Sequence, residues 1–271
     1  MPSHQTGIKN LKLIYTNIDG ISNKRAELSY LIYTQKPDII CLSETKTWID
    51  DANDHFYDTD NYVIFRKDRL NQTATSRGGG VTILVKKSLK VSELDVKILN
   101  NHKFEESIWC ELKCGGKPIV IGTVYRKPTS NNENNDLLLD LFSVCDTFSK
   151  KSQIFICGDF NYGAIDWENN VVDSDGQHVP EARRFLDMYN DHHFHQHVDS
   201  WTHNRGAENP SRLDLIFTKN ELDIENLNYL SPLGNSHHSV LSFELIVGIA
   251  ITKAIMLKLL VFSTVQIGMF Y

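Results

Sequence analysis

Acidic, amide, phenol and imidazole side chains stand next to strand-like apolar runs at several points along this sequence. They are Asn17 and Asp19, Glu44, Tyr125, Asp159 and Asn161, Asp214, and His238. These groups offer carboxylate oxygens of the kind that bind Mg²⁺, and an Asp and a His that can exchange protons. One such segment alone is a weak signal, because Gly-Asp-Phe-Asn at 158–161 is most often a turn. The repeated pattern predicts metal-assisted chemistry assembled at strand ends.

These side chains need strands and helices that bring their ends together. Apolar periodicity predicts strands at residues 11–16, 38–42, 62–65, 81–85, 154–157, 213–217 and 240–247, helices at 24–33, 137–148 and 180–189, and a hairpin of 108–114 with 117–125. The first two strands are expected to be parallel, since helix 24–33 crosses between them. Mixed strands and helices without a repeat or a long linker predict one α/β domain over residues 8–247.

The composition is that of a globular protein. With 271 residues, of which 41% are hydrophobic, the chain can bury a large core. Its net charge of -6 does not indicate nucleic-acid binding, so a polyanion needs a local basic groove or a metal ion. The 5 cysteines lack the paired spacing of a zinc site, and residues 1–10 lack a signal-peptide core. These features predict an intracellular protein, nuclear or cytoplasmic, with reduced thiols.

The end of the chain departs from the rest. From residue 245 to residue 271 only Lys253 and Lys258 are charged, against 23% charged residues in the whole chain. Either lysine near the centre of a membrane span would cost roughly 2.5–3.5 kcal/mol, and no uncharged run reaches the ~18 residues that a span needs. Residues 248–271 are therefore interpreted as an apolar C-terminal extension rather than an anchor, and no membrane partner is expected.

A set of segments in a fixed order carries a resemblance to a known family. The segments are residues 16–20, 37–46, 124–126, 157–161, 211–217 and 235–240. Their order and residue types resemble the endonuclease/exonuclease/phosphatase superfamily, which includes abasic-site nucleases of the exonuclease III type. Residues 65–69, 77–81 and 210–218 are similar in particular to the endonuclease domains of non-LTR retrotransposons. The resemblance extends over about residues 9–247.

The resemblance implies a fold and a role for each candidate residue. The fold would be a DNase I-like α/β protein, a four-layer sandwich in which two mixed β-sheets pack face to face and helices lie outside. Glu44 would be the principal metal ligand, with Asn17 and Asp19 beside it. Asp159 and Asn161 would position or deprotonate the attacking water, and Tyr125 would contact the phosphate. Asp214 would orient His238. The water proton could pass to Asp159 or to His238, and both remain open at this point. The implied activity is Mg²⁺-dependent nicking of DNA by a monomer, leaving a 3′-hydroxyl and a 5′-phosphate.

Two positions depart from the family's pattern. The family has Ser-Asp-His where this chain has Ser236, His237 and His238, and it has an arginine at the position of His203. His237 is predicted as a metal ligand in place of the aspartate. Because neutral imidazole is a poorer ligand for Mg²⁺ and suits softer ions, the change predicts weak, Mn²⁺-preferring or absent activity. The histidine-rich run at 191–203 is interpreted as a solvated loop rather than a zinc site.

Basic residues in the retroelement-like segments and after one strand are predicted to contact DNA. They are Arg66, Lys67, Arg69, Arg77 and Arg126. A charge run such as residues 66–69 is equally typical of a solvated face. Three other functions share these motifs: an abasic-site repair nuclease, a phosphatase of the same fold, and a catalytically dead DNA-binding or interaction module. The last is favoured by His237 and by the acidic net charge.

Overall fold

The structure, a computed structural model, describes residues 10–70, 78–92, 96–113, 116–206 and 210–247. Its strands are β1 (Leu11–Asn17), β2 (Ile39–Ser43), β3 (Tyr62–Lys67), β4 (Val81–Lys86), β5 (Val91–Ser92), β6 (Ser107–Leu112), β7 (Ile119–Tyr125), β8 (Gln153–Asp159), β9 (Ile165–Asp166), β10 (Val171–Val172), β11 (His195–Gln196), β12 (Asp214–Thr218), β13 (Ile224–Leu230) and β14 (Val240–Leu245). Its helices are α1 (Arg25–Gln35), α2 (Asn53–Phe56), α3 (Lys97–Asn100), α4 (Asn132–Ser149) and α5 (Val179–Asp191), with a short 3-10 turn at Glu221–Asp223.

The strands form two mixed sheets and one small ribbon. The first six-stranded sheet has the order β13-β14-β1-β2-β4-β3, the second has the order β11-β12-β8-β7-β6-β5, and β9 pairs with β10. β1 and β2 are parallel and joined through α1, and β7 and β8 are parallel and joined through α4. The other strand pairs are antiparallel. The predicted parallel pairing of the first two strands and the predicted hairpin of β6 with β7 are both confirmed.

Apolar side chains lie on both faces of each sheet, because the side chains of successive strand residues point to opposite faces. Between the sheets, Tyr15 of β1 and Phe155 of β8 belong to one buried core. On the outer face of the first sheet, Ile14 packs in a cluster with Leu28 of α1. The outer face of the second sheet packs on α4 and α5 around Phe142. The order helix, sheet, sheet, helices is the predicted four-layer α/β sandwich.

The sequence pattern missed several short elements and one long strand, β13. Most residues of β13 are exposed or half-buried, and its pairing with β14 shifts register between Glu225 and Asn228. A polar edge strand with a bulge has no regular apolar alternation, so its residues resemble a loop. The start of α4 is also earlier than the predicted residue 137, because the Asn131 side chain caps the helix by accepting from the Asn134 backbone N–H at 2.9 Å.

Two of the predicted domain boundaries fall at the ends of the chain. The predicted apolar extension at 248–271 and the predicted domain start at residue 8 lie outside the described residues. Across the part of the chain that the structure describes, no helix has both the length and the apolar character needed to cross a membrane.

Candidate active site

The first sheet brings three predicted site residues to one end of the sandwich. Asn17 is the last residue of β1 and pairs with Ser43, the last residue of β2, so Glu44 follows directly at the same edge. β14 runs antiparallel to β1 and begins at this edge, and His238 lies just before it. The carboxyl ends of parallel strands share one edge of a sheet, and this topology places the three side chains together.

The second sheet presents its own residues at the same end. Tyr125 ends β7 and Asp159 ends β8, and the two are paired across neighbouring parallel strands. Asp214 is the first residue of β12 and pairs with Asp159 from the other side. A tyrosine and two aspartates thus lie side by side on adjacent strands.

Hydrogen bonds join the two sheets at this end. Asn17 Nδ2 donates to Asp159 Oδ2 at 2.8 Å, and His238 Nδ1 lies 2.7 Å from Asp214 Oδ2. Asn17, Asp159 and Asp214 are no more than 2% exposed, and His238 is 9% exposed. One carboxylate oxygen of Asp159, one of Asp214 and one ring nitrogen of His238, all atoms that could bind a metal ion, lie within 4.8 Å of one another. Four of the residues predicted from the sequence are therefore in one buried network.

The surroundings change the proton affinity of two members of this network. Burial first, and then the charge of Asp214, raise the pKa of Asp159 above the usual carboxyl range. Burial alone would lower the pKa of His238, but the charge of Asp214 and the hydrogen bond to it raise the pKa of the imidazole to about 9. His238 is therefore an imidazolium at neutral pH and donates through Nδ1 to Asp214. A positively charged donor lies close to a carboxyl group with increased proton affinity.

Asn161 fixes the loop that follows β8. Its backbone N–H donates to Asp159 Oδ1 at 3.1 Å, and its Nδ2 donates to the Arg126 carbonyl at 2.7 Å. Its φ of 53° is in the left-handed region, as are those of Asp19 at 45° and Glu44 at 51°. Non-glycine residues adopt such conformations at a cost of order 1–3 kcal/mol each, and they cluster at functional sites. The surrounding structure therefore holds three predicted site residues in strained conformations.

Glu44 and Asp19 form a second group, in which Lys46 is a member that the sequence analysis missed. The Lys46 ammonium pairs with Asp19 Oδ1 and lies 3.2 Å from Glu44 Oε2. The Tyr125 hydroxyl donates to Glu44 Oε1, and burial together with the charge of Glu44 raises the pKa of Tyr125 so that it stays protonated. Carboxylate oxygens are the ligands that Mg²⁺ prefers, and a divalent ion bound by Asp19 and Glu44 would displace the Lys46 ammonium from its place between them. In the sequence, Lys46 has no feature that separates it from a surface lysine.

Tyr15 is a further residue of this site that the sequence analysis missed. Its hydroxyl donates to Asp214 Oδ1 at 2.9 Å and lies 2.9 Å from Ser43 Oγ. Because tyrosine is common inside strands, the sequence pattern indicates only that Tyr15 belongs to β1. The one available signal was its position two residues before Asn17, which places both side chains on the same face of the strand.

Tyr15→Phe is expected to lower the free energy of unfolding by about 1–3 kcal/mol, because a buried carboxylate oxygen of Asp214 loses its donor. Urea denaturation measures this change. The matched control is Tyr62→Phe, which removes a buried hydroxyl that donates to the Pro37 carbonyl at 2.7 Å elsewhere in the fold. We expect Tyr62→Phe to cost a similar amount of stability. A loss of less than about 0.5 kcal/mol in Tyr15→Phe would contradict the hydrogen bond assigned to its hydroxyl.

His237 lies outside the buried network. Its side chain is exposed, and its carbonyl accepts from the Asn204 backbone N–H at 3.0 Å. Its ring centre is 6.2 Å from that of His203. Its role as a metal ligand stays a prediction.

Arg66 and Lys67, predicted to contact DNA, have partners within the protein. Arg66 Nε lies 3.0 Å from Asp68 Oδ2, and a second nitrogen donates to the Asp51 carbonyl at 2.8 Å. Lys67 is half-buried, with its Nζ 3.5 Å from the Asn100 carbonyl. Arg66 therefore stabilises the loop that follows Glu44. Its contact with DNA, and that of Lys67, stay predictions.

Arg69 lies nearer the candidate site. Its guanidinium donates to both carboxylate oxygens of Glu106, at 3.0 Å and 2.8 Å, and lies 5.8 Å from the centre of the Tyr125 ring. Its contact with DNA stays a prediction. Arg77 lies outside the described residues.

The prediction that Arg126 contacts DNA is wrong, because its side chain is fully buried. Nε donates to Asn135 Oδ1 at 2.8 Å, and a terminal nitrogen reaches the carbonyls of Phe160 at 3.3 Å and Asn161 at 3.2 Å. The guanidinium carbon lies 4.0 Å from the centre of the Tyr162 ring. Arg126 therefore joins the loop after β8 to α4. In the sequence, an arginine that follows a strand looks the same whether it is buried in this way or contacts DNA.

Arg126→Met is expected to lower the free energy of unfolding by about 3 kcal/mol, since hydrogen bonds to a charged group each contribute about 1.5–3 kcal/mol. Urea denaturation tests this. The matched control, Arg69→Met, removes the partly buried ion pair with Glu106 and is expected to cost less, about 1 kcal/mol. Unchanged stability of Arg126→Met, with weaker DNA binding, would restore the original prediction.

A four-layer α/β sandwich with acidic, amide and imidazole side chains at one end is the arrangement of the DNase I-like hydrolases. The chain matches the Endonuclease/Exonuclease/phosphatase family over residues 14–236 and belongs to that family. This confirms the family suggested by the sequence motifs. A comparison with curated protein sequences found no match.

Solved structures with the same fold cover most of this chain. The endonuclease domain of TRAS1, a telomere-specific non-LTR retrotransposon, has a TM-score of 0.62 and 14% identity, over 88% of this chain and 99% of the other. The AP endonuclease LMAP from Leishmania major has a TM-score of 0.65 and 15% identity, over 88% of each chain. The 3′ phosphatase NExo from Neisseria, solved with a product DNA hairpin, has a TM-score of 0.59 and 15% identity, over 88% of this chain and 100% of the other. These likenesses establish the DNase I-like fold.

Proposed function

We propose that this protein is a divalent-metal-dependent phosphodiesterase that nicks DNA and leaves a 3′-hydroxyl and a 5′-phosphate. The observation that carries the proposal is the buried network at the end of the sandwich, in which Asn17 contacts Asp159 and Asp214 contacts His238. A retrotransposon-type endonuclease is favoured among family members by the motifs at residues 65–69 and 210–218. DNA is the proposed partner.

The side chains divide the work of phosphodiester hydrolysis. Negative charge grows on the non-bridging oxygens of the phosphate in the transition state, so donors placed there lower the barrier. His238 is an imidazolium whose Nδ1 is bound to Asp214, which leaves Nε2–H to donate to the phosphate. Asp159, held by Asn17 and by the Asn161 backbone N–H, takes the proton of the attacking water in its ionised form. Because burial and the charge of Asp214 raise the pKa of Asp159, the ionised fraction and therefore the rate should increase as the pH rises above neutral. The charge on His238 supports this choice, since an imidazolium has no free base site.

Glu44 and Asp19 would hold the metal ion. When bound, Mg²⁺ supplies positive charge to the phosphate oxygens. The two carboxylates lie close enough to contact a single ammonium, so they could contact one metal ion in its place. The Tyr125 hydroxyl orients Glu44 and stays protonated. His237, in place of the family's aspartate, is proposed to weaken the use of Mg²⁺ relative to Mn²⁺.

A supercoiled-plasmid nicking assay with Mg²⁺ and then Mn²⁺ tests the proposal. Nicking is expected with both ions, with product ends that a polymerase can extend, and Glu44→Ala is expected to abolish it. Glu133→Ala, an exposed glutamate on α4, is the matched control and should retain full activity. Nicking that persists in Glu44→Ala would mean that the site is misassigned.

Two further substrates in the same assay separate the alternatives within the family. Strong preference for an abasic duplex over an intact one would favour a repair nuclease. Release of phosphate from a 3′-phosphorylated end without nicking would favour a phosphatase. Binding of DNA without either reaction under both metals would favour the catalytically dead module.

A further inference from the structure

A cavity of about 490 Å³ lies beside the candidate active site. Its lining comes from the segment after β8, the β9–β10 ribbon and the residues before β12, and it includes Gly163, Asp166, Glu168, Asp173, Trp201 and Arg212. Gly163 follows Asn161 by two residues, and Arg212 precedes Asp214 by two residues. The cavity therefore flanks the end of the sandwich at which the scissile phosphate is proposed to bind. Its volume is in the range of sites that hold small organic groups.

Trp201 gives this cavity an exposed aromatic wall. Trp201 is 59% exposed, and the Arg212 guanidinium carbon lies 5.9 Å from its ring centre. Single apolar side chains on a surface are ordinary, but this one lines a cavity next to a cation. Arg212 is 8% exposed, and one terminal nitrogen donates to the Asp199 carbonyl at 2.9 Å and to Glu168 Oε1 at 3.3 Å. The guanidinium is therefore held in place beside an indole ring that is open to solvent.

Backbone contacts fix the position of Trp201. The N–H of the next residue, Thr202, donates to the Ser211 carbonyl at 3.1 Å, and the Thr202 hydroxyl oxygen accepts from the Asp214 N–H at 3.0 Å. The Ser239 N–H donates to the Thr202 carbonyl at 2.8 Å. Trp201 is thus tied through Thr202 to the start of β12 and to the segment before β14. Because its backbone is already ordered, a ligand that packs on the ring costs little conformational entropy.

The charges around the cavity indicate which kind of group it accepts. Among the described residues that line it, the carboxylates Asp166, Glu168 and Asp173 outnumber the one arginine, Arg212. This lining disfavours a phosphate group, because like charges repel. An uncharged planar group with polar edges fits, since its face can stack on indole and guanidinium planes and its amino groups can donate to carboxylates. A nucleobase has these properties.

We propose that this cavity binds one unpaired nucleobase of the DNA substrate, with Trp201 as the stacking surface and Arg212 beside it. A base inside a paired duplex presents only its edges in the grooves, so it must be unpaired or rotated out of the helix to stack on a side chain. The inference rests on DNA as the proposed substrate and adds a preference for sites with an unpaired base near the scissile phosphate. Trp201 binds substrate and takes no part in the chemical step.

Binding of a duplex that carries one unpaired 2-aminopurine, a fluorescent adenine analogue, tests the inference with EDTA present, so that no cleavage occurs. We expect the full chain to bind this duplex more tightly than a fully paired one. Trp201→Leu should weaken binding of the unpaired-base duplex by about 5-fold to 100-fold, the effect of losing one stacked base, and leave the paired duplex nearly unaffected. The bound 2-aminopurine should be brighter in Trp201→Leu than in the wild type, because stacking on an indole ring quenches it. Trp201→Phe keeps an aromatic face and should retain most of the affinity.

The matched control is Tyr33→Leu, at an exposed aromatic residue of α1, which should bind both duplexes as the wild type does. Circular dichroism checks that each variant is folded. Equal affinity of the wild type for the two duplexes, or equal weakening of both in Trp201→Leu, would overturn the inference. Nicking by a protein whose DNA binding is unchanged in Trp201→Leu would refute the inference alone. Binding that depends on Trp201, in a protein that nicks DNA with neither metal ion, would refute the proposed function alone.

Discussion

Asp159→Asn is expected to reduce the rate of DNA nicking by about 10²–10⁴-fold, the range that general base catalysis contributes. Asparagine has nearly the same size but cannot take a proton from water. Its single amide oxygen can accept from Asn17 Nδ2 or from the Asn161 N–H, but not from both. The same substitution removes one of two carboxylates that are paired across β8 and β12. Burial and the charge of Asp214 both disfavour ionised Asp159, and relief of this cost offsets the loss of one hydrogen bond, so the stability of the variant should be within about 1 kcal/mol of that of the wild type.

Single-turnover nicking together with urea denaturation measures both expectations. Asp223→Asn is the matched control, since Asp223 is also buried and burial raises the pKa of its carboxyl to about 6. That variant should nick at the wild-type rate. A rate for Asp159→Asn within tenfold of the wild type would remove the assigned role, and equal losses in the two variants would trace the effect to folding.

His238→Gln is expected to reduce the nicking rate by about 10²–10³-fold, the effect of removing one donor from transition-state charge. It should also lower the free energy of unfolding by about 3 kcal/mol, because Asp214 remains as a fully buried carboxylate without its cationic partner. His238→Gln is therefore expected to lower both the free energy of unfolding and the nicking rate, whereas Asp159→Asn is expected to lower mainly the rate.

A double-mutant cycle of His238→Gln with Asp214→Asn distinguishes a coupled pair from two independent residues. Residues in one hydrogen-bonded network interact, so the double variant should lose much less activity than the product of the single losses. His192→Gln, at a half-buried histidine whose Nε2 lies 3.1 Å from Ser143 Oγ on α4, serves as the histidine control. Fully additive effects of the two substitutions would contradict the pairing seen in the structure.

Much of the architecture followed from local pattern. Strands β1, β2, β4, β7, β8 and β12 contain apolar runs that end or begin at polar residues, so both the strands and the candidate residues at their ends were predictable. Motif order identified the family, and the family implied that Asp214 and His238 form a pair. β13 was not predictable, because its polar residues are ordered by pairing with β14 rather than by their own apolar pattern.

Some parts of the site depended on contacts between residues far apart in the chain. Tyr15 has the sequence features of a core residue until Asp214 lies against its hydroxyl, and Lys46 resembles a surface lysine until Asp19 and Glu44 lie beside it. Arg126 has the features of a DNA contact, but the loop after β8 and α4 bury it completely.

The sequence by itself determined the longer apolar strands and helices, the family, and the side chains available for chemistry, because these depend on residue type and local periodicity. The tertiary structure decided which charges are buried, which carboxylates share a partner, and which histidines face one another. The physical reason is that burial and charge pairing depend on distances across the two sheets, and the spacing of residues along the chain does not set those distances.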